Sequence, residues 1–527
     1  ELTGITLMSE NSQNERPGSV ESRFSERTHS CINLRQLLKE ESIVADIQDS
    51  VLLLKNTEDS TCQFLVLDKL NQTPLYLELI AKLRQSGHRP EVIWVNNEEM
   101  AQVAWKFDAG QEDEQPEDEA SLQGKVKDLL ARAVAVGASD MHLYVSDHYF
   151  RVWFRVDGIR RPFHEFDDSA SNGRRLIQSM FNTMCAGQST NTLSYTQSAD
   201  ARFREEFVTE FGLSTARVAT RPGGDNRILV VVRLISKRKE SLALDSLGMT
   251  PQQIASVRRA ARKITGIIVA NGPTGHGKST LLQCLAEMTL RDDPGIHLIT
   301  VEDPVESPIF GAIQTPLMEE WPEAIRNLLR LDPDTIYYGE ARDAESVYGV
   351  IEAAQTGHEV LTTTHTTWPI DVLQRWKRFG VDESYLTDPT LITCLVGIRL
   401  TPLLCPECKQ PYSGHRASIE PEIEEIITRY TRPEGLFSRN PAGCPACKFT
   451  GFRGRTGVFE VIETDRKFMS LYQHEGKFAA WQYWKQKGNT SLAENLIRLI
   501  NDGRVDPVMG HSKVCNLDRD ETFNEPN

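Results

Sequence analysis

The sequence predicts an α/β protein whose centre is a doubly wound parallel sheet that carries a phosphate-binding loop. Apolar strand segments alternate with helix segments over residues 243–400, as expected for a parallel sheet covered by helices on both faces. Segment 271–280, NGPTGHGKST, follows an apolar run, precedes a segment with helical spacing, and has the glycine, lysine and serine positions of a nucleotide loop. The strand segments that follow end in carboxylates and a histidine, at the edge where ligands bind in such sheets.

The length of 527 residues predicts several domains, because a single hydrophobic core rarely grows beyond about 250–300 residues. In chain order we expect a disordered N-terminus over 1–30, a first small α/β domain over 31–107, an acidic linker over 108–121, a second N-terminal domain over 122–240, and a nucleotide-binding domain over 241–527 that contains a metal module at 403–455 and C-terminal helices before a disordered end.

Composition argues against several classes of protein. The formal net charge is −15, and binding by counterion release needs clustered Lys and Arg, so we expect no direct contact with nucleic acid. The chain has no run of about 18 apolar residues and no apolar signal core near its start, so we expect no transmembrane segment. Six of the ten cysteines are scattered singly, which favours the reducing cytoplasm over a disulfide framework.

Two short domains are expected before the nucleotide loop. Segments 64–68 and 91–95 have the composition of strands, and the segment between them has helical spacing. Seven acidic residues among positions 108–119 predict a self-repelling, solvated hinge, with an acidic interaction tail as the alternative. After this linker, an amphipathic helix segment leads into the second of these domains.

The second N-terminal domain contains several predicted strands. Segment 138–145 reads as a strand, and 151–158 alternates as a half-buried strand that ends in an Asp-Gly turn. A further pair of strands lies within 214–235, and Arg217 and Arg233 stand on either side of its turn. On sequence alone these two arginines are ordinary residues of a sheet surface.

The residues of the phosphate loop are candidates for binding ATP. Glycines let backbone N–H groups turn toward a phosphate, and the N-terminus of the next helix adds its dipole. We expect Lys278 to reach the β- and γ-phosphates and the Ser279 hydroxyl to ligate Mg²⁺. The predicted nucleotide-binding residues are Gly272, Pro273, Thr274, Gly275, His276, Gly277, Lys278, Ser279, Thr280, Asp303, Arg342 and His358.

Three later strand ends supply candidates for hydrolysis. Phosphoryl transfer needs a phosphate cradle, a divalent metal, a group that orients the water and cations near the γ-phosphate. Glu302 is the predicted general base, Glu340 is predicted to hold Mg²⁺ through water, and an exchange of these roles stays open. His365 is a candidate sensor of the γ-phosphate. Parallel strands end at one edge of a sheet, so we expect these side chains to open on one crevice.

Two CxxC pairs predict a zinc site. Cys405 and Cys408 form the first pair, Cys444 and Cys447 form the second, and a segment with helical spacing at 420–431 lies between them. Four thiolates complete a tetrahedron around Zn²⁺ and leave no position for water, so the predicted role is structural. Free thiols are the first alternative, and a redox pair is disfavoured because neither pair follows a thioredoxin-like strand.

Four segments resemble the motifs of the secretion and pilus-assembly traffic ATPases. GPTGHGKST resembles the Walker A motif of that family, TVEDPVE its aspartate box, LDPDTIYYGEARD its atypical Walker B motif and TGHEVLTTTHT its histidine box. ASDMHLYV and RVWFRVDG resemble its second N-terminal domain, and the similarity covers roughly residues 122–500. His276 stands where the family commonly has serine, which suggests a divergent branch.

The resemblance implies a RecA-like ATPase domain, a PAS-like second N-terminal domain and a ring-shaped homohexamer with ATP at the domain and subunit junctions. It also implies that Arg217 and Arg233 reach the γ-phosphate, and that a polytopic platform protein links the ring to the inner membrane. The tetracysteine insert is typical of assembly and type II secretion members and is generally missing from retraction members. We expect a type IV pilus assembly motor, with a type II secretion ATPase as the alternative. A RecA-like nucleic-acid translocase and a non-hydrolysing zinc adaptor are the rivals from other classes.

Overall fold

The computed structural model describes residues 29–31, 51–56, 61–67, 70, 74–85, 91–95, 100, 103 and 118–524, without 147–148, 188–192, 225–226, 238–239 and 433. Most of the disordered N-terminus predicted over 1–30 lies outside the described residues, but His29 and Ser30 belong to a strand, which corrects the end of that segment. The predicted disorder at residues 525–527 and the linker up to residue 117 also lie outside the described residues. No helix in the described stretches has both the length and the apolar content that crossing a bilayer requires.

The first domain is a small sheet with helix α1 packed on one face. Its elements are β1 (His29–Cys31), β2 (Val51–Asn56), β3 (Cys62–Leu67), α1 (Pro74–Gln85) and β4 (Glu91–Val95). The strand order is β1-β2-β3-β4, and β3 pairs with β4 in parallel. Phe64 and Val66 pack against Leu79 and Leu83 of α1, because alternate residues of a strand face the same side. The bounds of β3 and β4 agree closely with those of the two predicted strand segments, 64–68 and 91–95.

Helix α2 (Glu119–Val136) begins inside the predicted acidic linker, which is a correction to the boundary at 121. The Asp118 side chain accepts a hydrogen bond from the Ser121 backbone N–H at 2.8 Å, so an acidic residue assigned to the hinge is the N-cap. Glu119 in the first turn is favoured by the positive end of the helix dipole. The helix ends at Gly137, which has a φ of 77°.

The second domain is an antiparallel sheet in the order β7-β6-β5-β12-β11-β10-β9, with β8 paired to β6. Helices α2 and α3 cover one face, where Val126 and Leu130 pack with Phe150 and Ile177. Arg217 of β11 lies directly opposite Arg233 of β12. The further elements are β5 (Ala138–Val145), β6 (Tyr149–Val156), β7 (Ile159–Pro162), β8 (Asp168–Ser169), α3 (Ala170–Ser179), β9 (Cys185–Gly187), β10 (Ala199–Phe203), β11 (Leu213–Pro222) and β12 (Ile228–Ser236).

The nucleotide-binding domain has a seven-stranded sheet in the order β15-β14-β16-β17-β13-β18-β21 among the described residues. All pairs are parallel except β18 with β21. The strands are β13 (Gly266–Asn271), β14 (Leu298–Glu302), β15 (Ile313–Pro316), β16 (Thr335–Tyr338), β17 (Glu359–Thr364), β18 (Ile392–Leu404) and β21 (Phe452–Glu463). Every residue of β13, β16 and β17 is buried, because helices cover both faces.

The helices of this domain complete its two faces and its C-terminal part. They are α4 (Pro251–Ala261), α5 (Lys278–Asp292), α6 (Trp321–Leu328), α7 (Ala344–Gln355), α8 (Asp371–Arg378), α9 (Glu383–Leu386), α10 (Pro421–Tyr430), α11 (Arg466–Glu475), α12 (Lys477–Gln486), α13 (Leu492–Asn501), α14 (Pro507–Met509) and α15 (Arg519–Asn524). The metal module adds the short strands β19 (Gln410–Pro411) and β20 (Phe437–Ser438). Helix α10 matches the helix predicted between the CxxC pairs.

Helix α6 ends at Leu328, before the Asp332-Pro333 segment. A residue before proline is disfavoured in the helical region, and Asp332, which precedes Pro333, has a φ of 54°. The turn that results carries the chain into β16.

The C-terminal helix is anchored by a buried ion pair. The Arg519 guanidinium donates to Glu460 Oε2 at 2.6 Å and to Oε1 at 3.2 Å, and both side chains are almost fully buried. The guanidinium carbon lies 4.2 Å from the ring centroids of both Trp368 and Phe523. The two hydrogen bonds between these charges compensate for the cost of removing them from water. The chain is therefore ordered up to Asn524, although the polar composition of this segment had suggested a disordered end.

Candidate active site

The phosphate loop faces a cleft between the second N-terminal domain and the nucleotide-binding domain. The cleft has a volume of about 1260 Å³. Its lining includes the loop residues 274–280, the strand-end residues Glu302, Glu340 and His365, and both Arg217 and Arg233. The structure thus brings the three predicted strand ends and the two predicted arginines to one site.

Glycine is required at both ends of the phosphate loop. Gly272 has a φ of 152°, and a Cβ at this position would lie 2.3 Å from the Ile398 carbonyl oxygen. Gly277 has a φ of 83° and is the N-cap of α5. Because only glycine adopts these conformations without strain, the loop can turn its N–H groups toward the mouth of the cleft and the start of α5.

Lys278 is held at the centre of the site by three acceptors. Its Nζ donates to the carbonyl oxygens of Gly272 at 2.9 Å and Pro273 at 3.2 Å, and it lies 3.2 Å from His365 Nδ1. Burial lowers the pKa of Lys278 to about 8, although the nearby Glu340 carboxylate acts in the opposite direction. The ammonium is therefore less strongly solvated than a surface lysine and is poised to exchange these acceptors for phosphate oxygens.

Lys278, His365 and Glu340 form one hydrogen-bonded chain. An ammonium can only donate, so His365 Nδ1 accepts from Lys278, and Nε2 carries the proton that is donated to Glu340 at 3.2 Å. This hydrogen bond is the first cause that lowers the pKa of Glu340, so the carboxylate is ionised at neutral pH. His365 thus links the lysine to the carboxylate that ends β16.

Glu302 is the more deeply buried of the two candidate carboxylates. Its side chain is 4 % exposed, and its Oε1 accepts from Thr300 at 2.7 Å and from Gln314 Nε2 at 3.0 Å. Burial raises the pKa of Glu302, in contrast to that of Glu340. A general base works best when its pKa approaches the operating pH, so the environment favours Glu302 for proton abstraction.

The two arginines are positioned by carboxylate-bearing segments on both sides of the cleft. Arg217 Nη2 donates to the Asp303 carbonyl oxygen at 3.0 Å, and its Nη1 lies 3.7 Å from Glu306. Arg233 Nε donates to Asp140 Oδ1 at 3.1 Å. Arg217 therefore connects the second N-terminal domain directly to the segment that follows Glu302.

The remaining predicted residues differ in their placement. Asp303 and Arg342 line the cleft, and Pro273 contributes a carbonyl oxygen to Lys278. His276 Nδ1 accepts from the Leu400 N–H at 3.0 Å, and burial lowers its pKa to about 4, so a neutral His276 fastens the loop to β18. The prediction for His358 is wrong: it precedes β17 at the amino end of the sheet, opposite the cleft, where its Nδ1 lies 3.0 Å from the Ala353 carbonyl oxygen.

Several residues of the site were not predicted. Gln314 and Thr300 hold Glu302, Asp140 holds Arg233, and Tyr337 of β16 lines the cleft beneath α5. Burial is the first cause that raises the pKa of Tyr337 well above its usual range. The two adjacent tyrosines of the short strand were the one available signal for Tyr337. Thr300 lies two residues before Glu302 on the same strand, whereas the contacts of Gln314 and Asp140 join segments that are further apart in the chain.

The oxygen donors of the cleft fit Mg²⁺. The Ser279 hydroxyl and the carboxylates of Glu302 and Glu340 line the same space. Mg²⁺ prefers hard oxygen donors and keeps several waters, so one hydroxyl and one or two carboxylates beside a polyphosphate are a sufficient protein contribution.

The four cysteines of the metal module converge as a zinc site requires. Their sulfurs all lie within 4.8 Å of one another. The Sγ–Sγ distances are 3.8 Å for Cys405–Cys444, for Cys408–Cys447 and for Cys444–Cys447. A tetrahedron with Zn–S bonds of about 2.3 Å has an edge of about 3.8 Å, so the described sulfurs match a Cys₄ zinc site.

The metal module also contacts the second N-terminal domain. Arg161 of β7 donates to the carbonyl oxygens of Phe449 at 3.2 Å and Thr450 at 2.9 Å. Lys448 Nζ donates to the Ala135 carbonyl oxygen near the end of α2. The turn that contains Cys447 therefore joins the metal module to the second N-terminal domain.

A family model described as "Type II/IV secretion system protein" matches residues 115–515. The chain belongs to this family. Among curated relatives, type II secretion system protein E of Pectobacterium carotovorum is 31% identical over 401 residues, 73% of this chain and 74% of that protein. The protein transport protein HofB homolog of Escherichia coli is 32% identical over 382 residues, 71% of this chain and 77% of that protein. Type II secretion system ATPase E of Vibrio cholerae is 29% identical over 396 residues, 73% and 74% of the two chains.

Solved structures support the fold of this type II/IV secretion family member. The Legionella pneumophila ATPase DotB aligns with a TM-score of 0.51 at 19% identity and covers 75% of this chain and 95% of its own. The Yersinia pseudotuberculosis ATPase DotB aligns with a TM-score of 0.50 at 18% identity, with 76% and 95% covered. The predicted α/β fold, with a RecA-like P-loop domain, is confirmed, and the chain is an ATPase of the secretion family.

Proposed function

We propose that this ATPase is the motor of a type II secretion machine, working as a homohexamer on a platform protein of the inner membrane. The names of its curated relatives favour type II secretion over pilus assembly, which was the leading expectation from the sequence. The observation that carries the motor function is the position of Arg217 and Arg233 in the same cleft as Lys278. Hydrolysis at such a site is sensitive to the position of a second domain.

The residues of the cleft divide the work of hydrolysis. Lys278 and the loop N–H groups hold the phosphates, and Ser279 ligates Mg²⁺, which supplies charge neutralisation when bound. Glu302 takes a proton from the attacking water, and Glu340 would bind Mg²⁺ through water. His365 lies between Glu340 and Lys278 and is hydrogen-bonded to both. Arg217 and Arg233 stabilise negative charge on the transferred phosphoryl group.

Movement of the second N-terminal domain changes the site directly. Arg217 bonds to the Asp303 carbonyl, one residue beyond Glu302, so a displaced domain removes a cation and releases the segment next to the base. Arg233 moves with it because the two arginines are cross-strand neighbours. Opening and closing of this joint, the contact between the second N-terminal domain and the nucleotide-binding domain, is the proposed source of work on the platform protein.

Replacing either arginine is expected to slow hydrolysis more than it weakens nucleotide binding. In this proposal, Arg217→Ala or Arg233→Ala removes a hydrogen bond to the negatively charged phosphoryl group in the transition state. We therefore expect kcat to fall roughly 10- to 100-fold, with the nucleotide Kd little changed. Arg221→Ala, on the same strand β11 as Arg217 but outside the cleft lining, is the matched control and should behave as wild type. Phosphate release and fluorescent-nucleotide titration measure the two quantities. Wild-type kcat in both cleft variants would contradict the proposed joint.

The assignment to secretion is tested in the host. We expect deletion of the gene to stop the export of proteins through the outer membrane and to leave surface pili unchanged, with export restored by the wild-type gene and not by a Lys278→Ala allele. Loss of pili with normal export would replace the secretion assignment by pilus assembly. Hydrolysis stimulated by DNA in the purified protein would favour the nucleic-acid translocase instead.

A further inference from the structure

One side of the phosphate loop rests against strand β18. This strand pairs with β13 as far as Gly397, which lies opposite Asn271, and then continues beyond the end of β13. A Cβ at Gly277 would lie 3.6 Å from the Leu400 side chain, so the loop packs closely on this extension. The Leu400 backbone N–H donates to His276 Nδ1 at 3.0 Å. The projecting part of β18 therefore holds the His276 ring beside the loop.

The hydrogen bond from Leu400 fixes the tautomer of His276. Because Nδ1 accepts, the proton of the neutral ring must be on Nε2. Burial, followed by the nearby cations Arg399 and Lys278, lowers the pKa of His276 to about 4, so the ring is neutral at physiological pH. His276 is therefore an uncharged residue whose Nε2–H is always available as a donor.

This Nε2–H has no acceptor within the described part of the protein. Leu400 is the one hydrogen-bond partner of the ring among the described residues, and His276 lines the cleft. Its Nε2 is accessible, in contrast to Nε2 of His142, which is enclosed without a partner. The cations near the ring give its surroundings a positive potential, which favours an anionic acceptor. A phosphate oxygen in the cleft is such an acceptor.

The strand order indicates which part of a nucleotide His276 can meet. Along the sheet, β14, β16 and β17 lie on one side of β13, and β18 lies on the other. Glu302 ends β14 and Glu340 follows β16, so the γ-phosphate on which they are proposed to act lies toward that side. His276 is held by Leu400 of β18 on the opposite side. It therefore lies toward the phosphates that ADP shares with ATP.

We propose that His276 is a nucleotide-binding residue whose Nε2–H donates to a phosphate oxygen that ADP shares with ATP, on the side of the loop away from the site of hydrolysis. This inference rests on the proposed roles of Lys278 and Glu302, which set the direction of the nucleotide. The two ring nitrogens then have separate tasks: Nδ1 fixes the loop to β18, and Nε2 binds the nucleotide. A neutral donor suits this place because it does not repel the neighbouring Lys278 ammonium.

Two substitutions separate the tasks of the two nitrogens. His276→Asn places an amide oxygen near the position of Nδ1, where it can accept from Leu400, and leaves no donor at the position of Nε2. His276→Ala removes both contacts. His358→Asn is the matched control, because His358 is also a half-buried histidine with a bonded Nδ1 but lies at the amino end of the sheet, opposite the cleft.

Calorimetric titration of the purified full chain with ADP, and separately with a non-hydrolysable ATP analogue, measures the contact. We expect His276→Asn to raise both Kd values by the same factor, roughly 10-fold, the lower end of the usual worth of a hydrogen bond to a charged group. In hydrolysis the loss should appear in KM rather than in kcat. The thermal midpoint of the nucleotide-free protein should stay near wild type for His276→Asn and fall for His276→Ala. His358→Asn should keep both Kd values.

Other results would overturn the inference in distinguishable ways. Wild-type Kd values for His276→Asn, with weaker binding in His276→Ala alone, would show that His276 fixes the loop and does not contact the nucleotide. A loss of affinity for the ATP analogue but not for ADP would place the contact at the γ-phosphate and contradict the inferred direction.

Lys278→Ala tests the underlying site. If it leaves both Kd values unchanged, the proposed role of the phosphate loop is wrong, and the inference about His276 is lost with it. If Lys278→Ala weakens binding and His276→Asn does not, only the inference about His276 is wrong.

Discussion

Glu302→Gln is expected to lower the rate of ATP hydrolysis roughly 10²- to 10⁴-fold, the usual worth of a general base. The amide has almost the shape of the carboxylate, and its oxygen can still accept from Thr300 and Gln314, the two donors that hold Glu302 Oε1. The amide cannot take a proton from water. We therefore expect nucleotide affinity and thermal stability to stay near wild type while phosphate release, measured under single-turnover conditions, almost stops.

A comparison with Glu340→Gln shows which of the two glutamates is the general base and which one binds Mg²⁺. It removes a charge next to His365 and Lys278, so we expect a higher Mg²⁺ concentration for half-maximal activity, with much of the rate recovered at saturating Mg²⁺. The reverse pattern, in which Glu302→Gln is rescued by Mg²⁺ and Glu340→Gln is not, would assign the base to Glu340.

The pH dependence gives the same distinction in the unmodified enzyme. A base must be deprotonated to act, so kcat/KM falls as the pH drops through its pKa. Burial raises the pKa of Glu302, whereas the His365 hydrogen bond lowers that of Glu340. An acidic limb above the ordinary range of a glutamate is therefore expected if Glu302 is the base, and a limb below that range would indicate Glu340.

Removal of zinc is expected to unfold the metal module. Binding of zinc by four cysteines in small domains contributes on the order of 10 kcal/mol, and most of this free energy stabilises the folded form. Here the two CxxC turns meet through their sulfurs, and the Cys447 sulfur also accepts the N–H groups of Cys444 and Gly451, both at 3.1 Å. We expect about one zinc per wild-type chain, well under one for Cys408→Ser, and rapid tryptic cleavage after Lys409 or Arg416 in that variant.

Cys62→Ser is the control for the loss of a thiol, because Cys62 lies in β3 of the first domain. It should keep its zinc and its resistance to trypsin. Loss of the module should also free Arg161, which bonds to the carbonyl groups of Phe449 and Thr450, so the second N-terminal domain should become more accessible to trypsin as well. Cys408→Ser protein with a full complement of zinc and an intact tryptic pattern would contradict the Cys₄ site.

Features that depend on local backbone geometry, or on the rule that parallel strands end at one edge of a sheet, could be predicted from the sequence. Glycines at fixed spacing between a strand and a helix predict a phosphate loop, and Gly272 and Gly277 adopt the conformations that only glycine tolerates. Parallel strands end at one edge of the sheet, so Glu302, Glu340 and His365 were expected together before any distance was known. The two CxxC pairs predicted a thiolate tetrahedron for a similar reason, since each turn presents its sulfurs on one side.

Features that depend on burial or on contacts between distant segments could not be predicted from the sequence. His358 resembles a site residue in sequence, but it lies at the wrong end of β17. The opposite pKa shifts of Glu302 and Glu340 arise from burial and from His365, which no local pattern reports. Arg217 reaches Asp303 across 86 positions of the chain. Local backbone rules act over a few residues, whereas the electrostatics of a site depend on which side chains meet in space, and only the packed fold determines that.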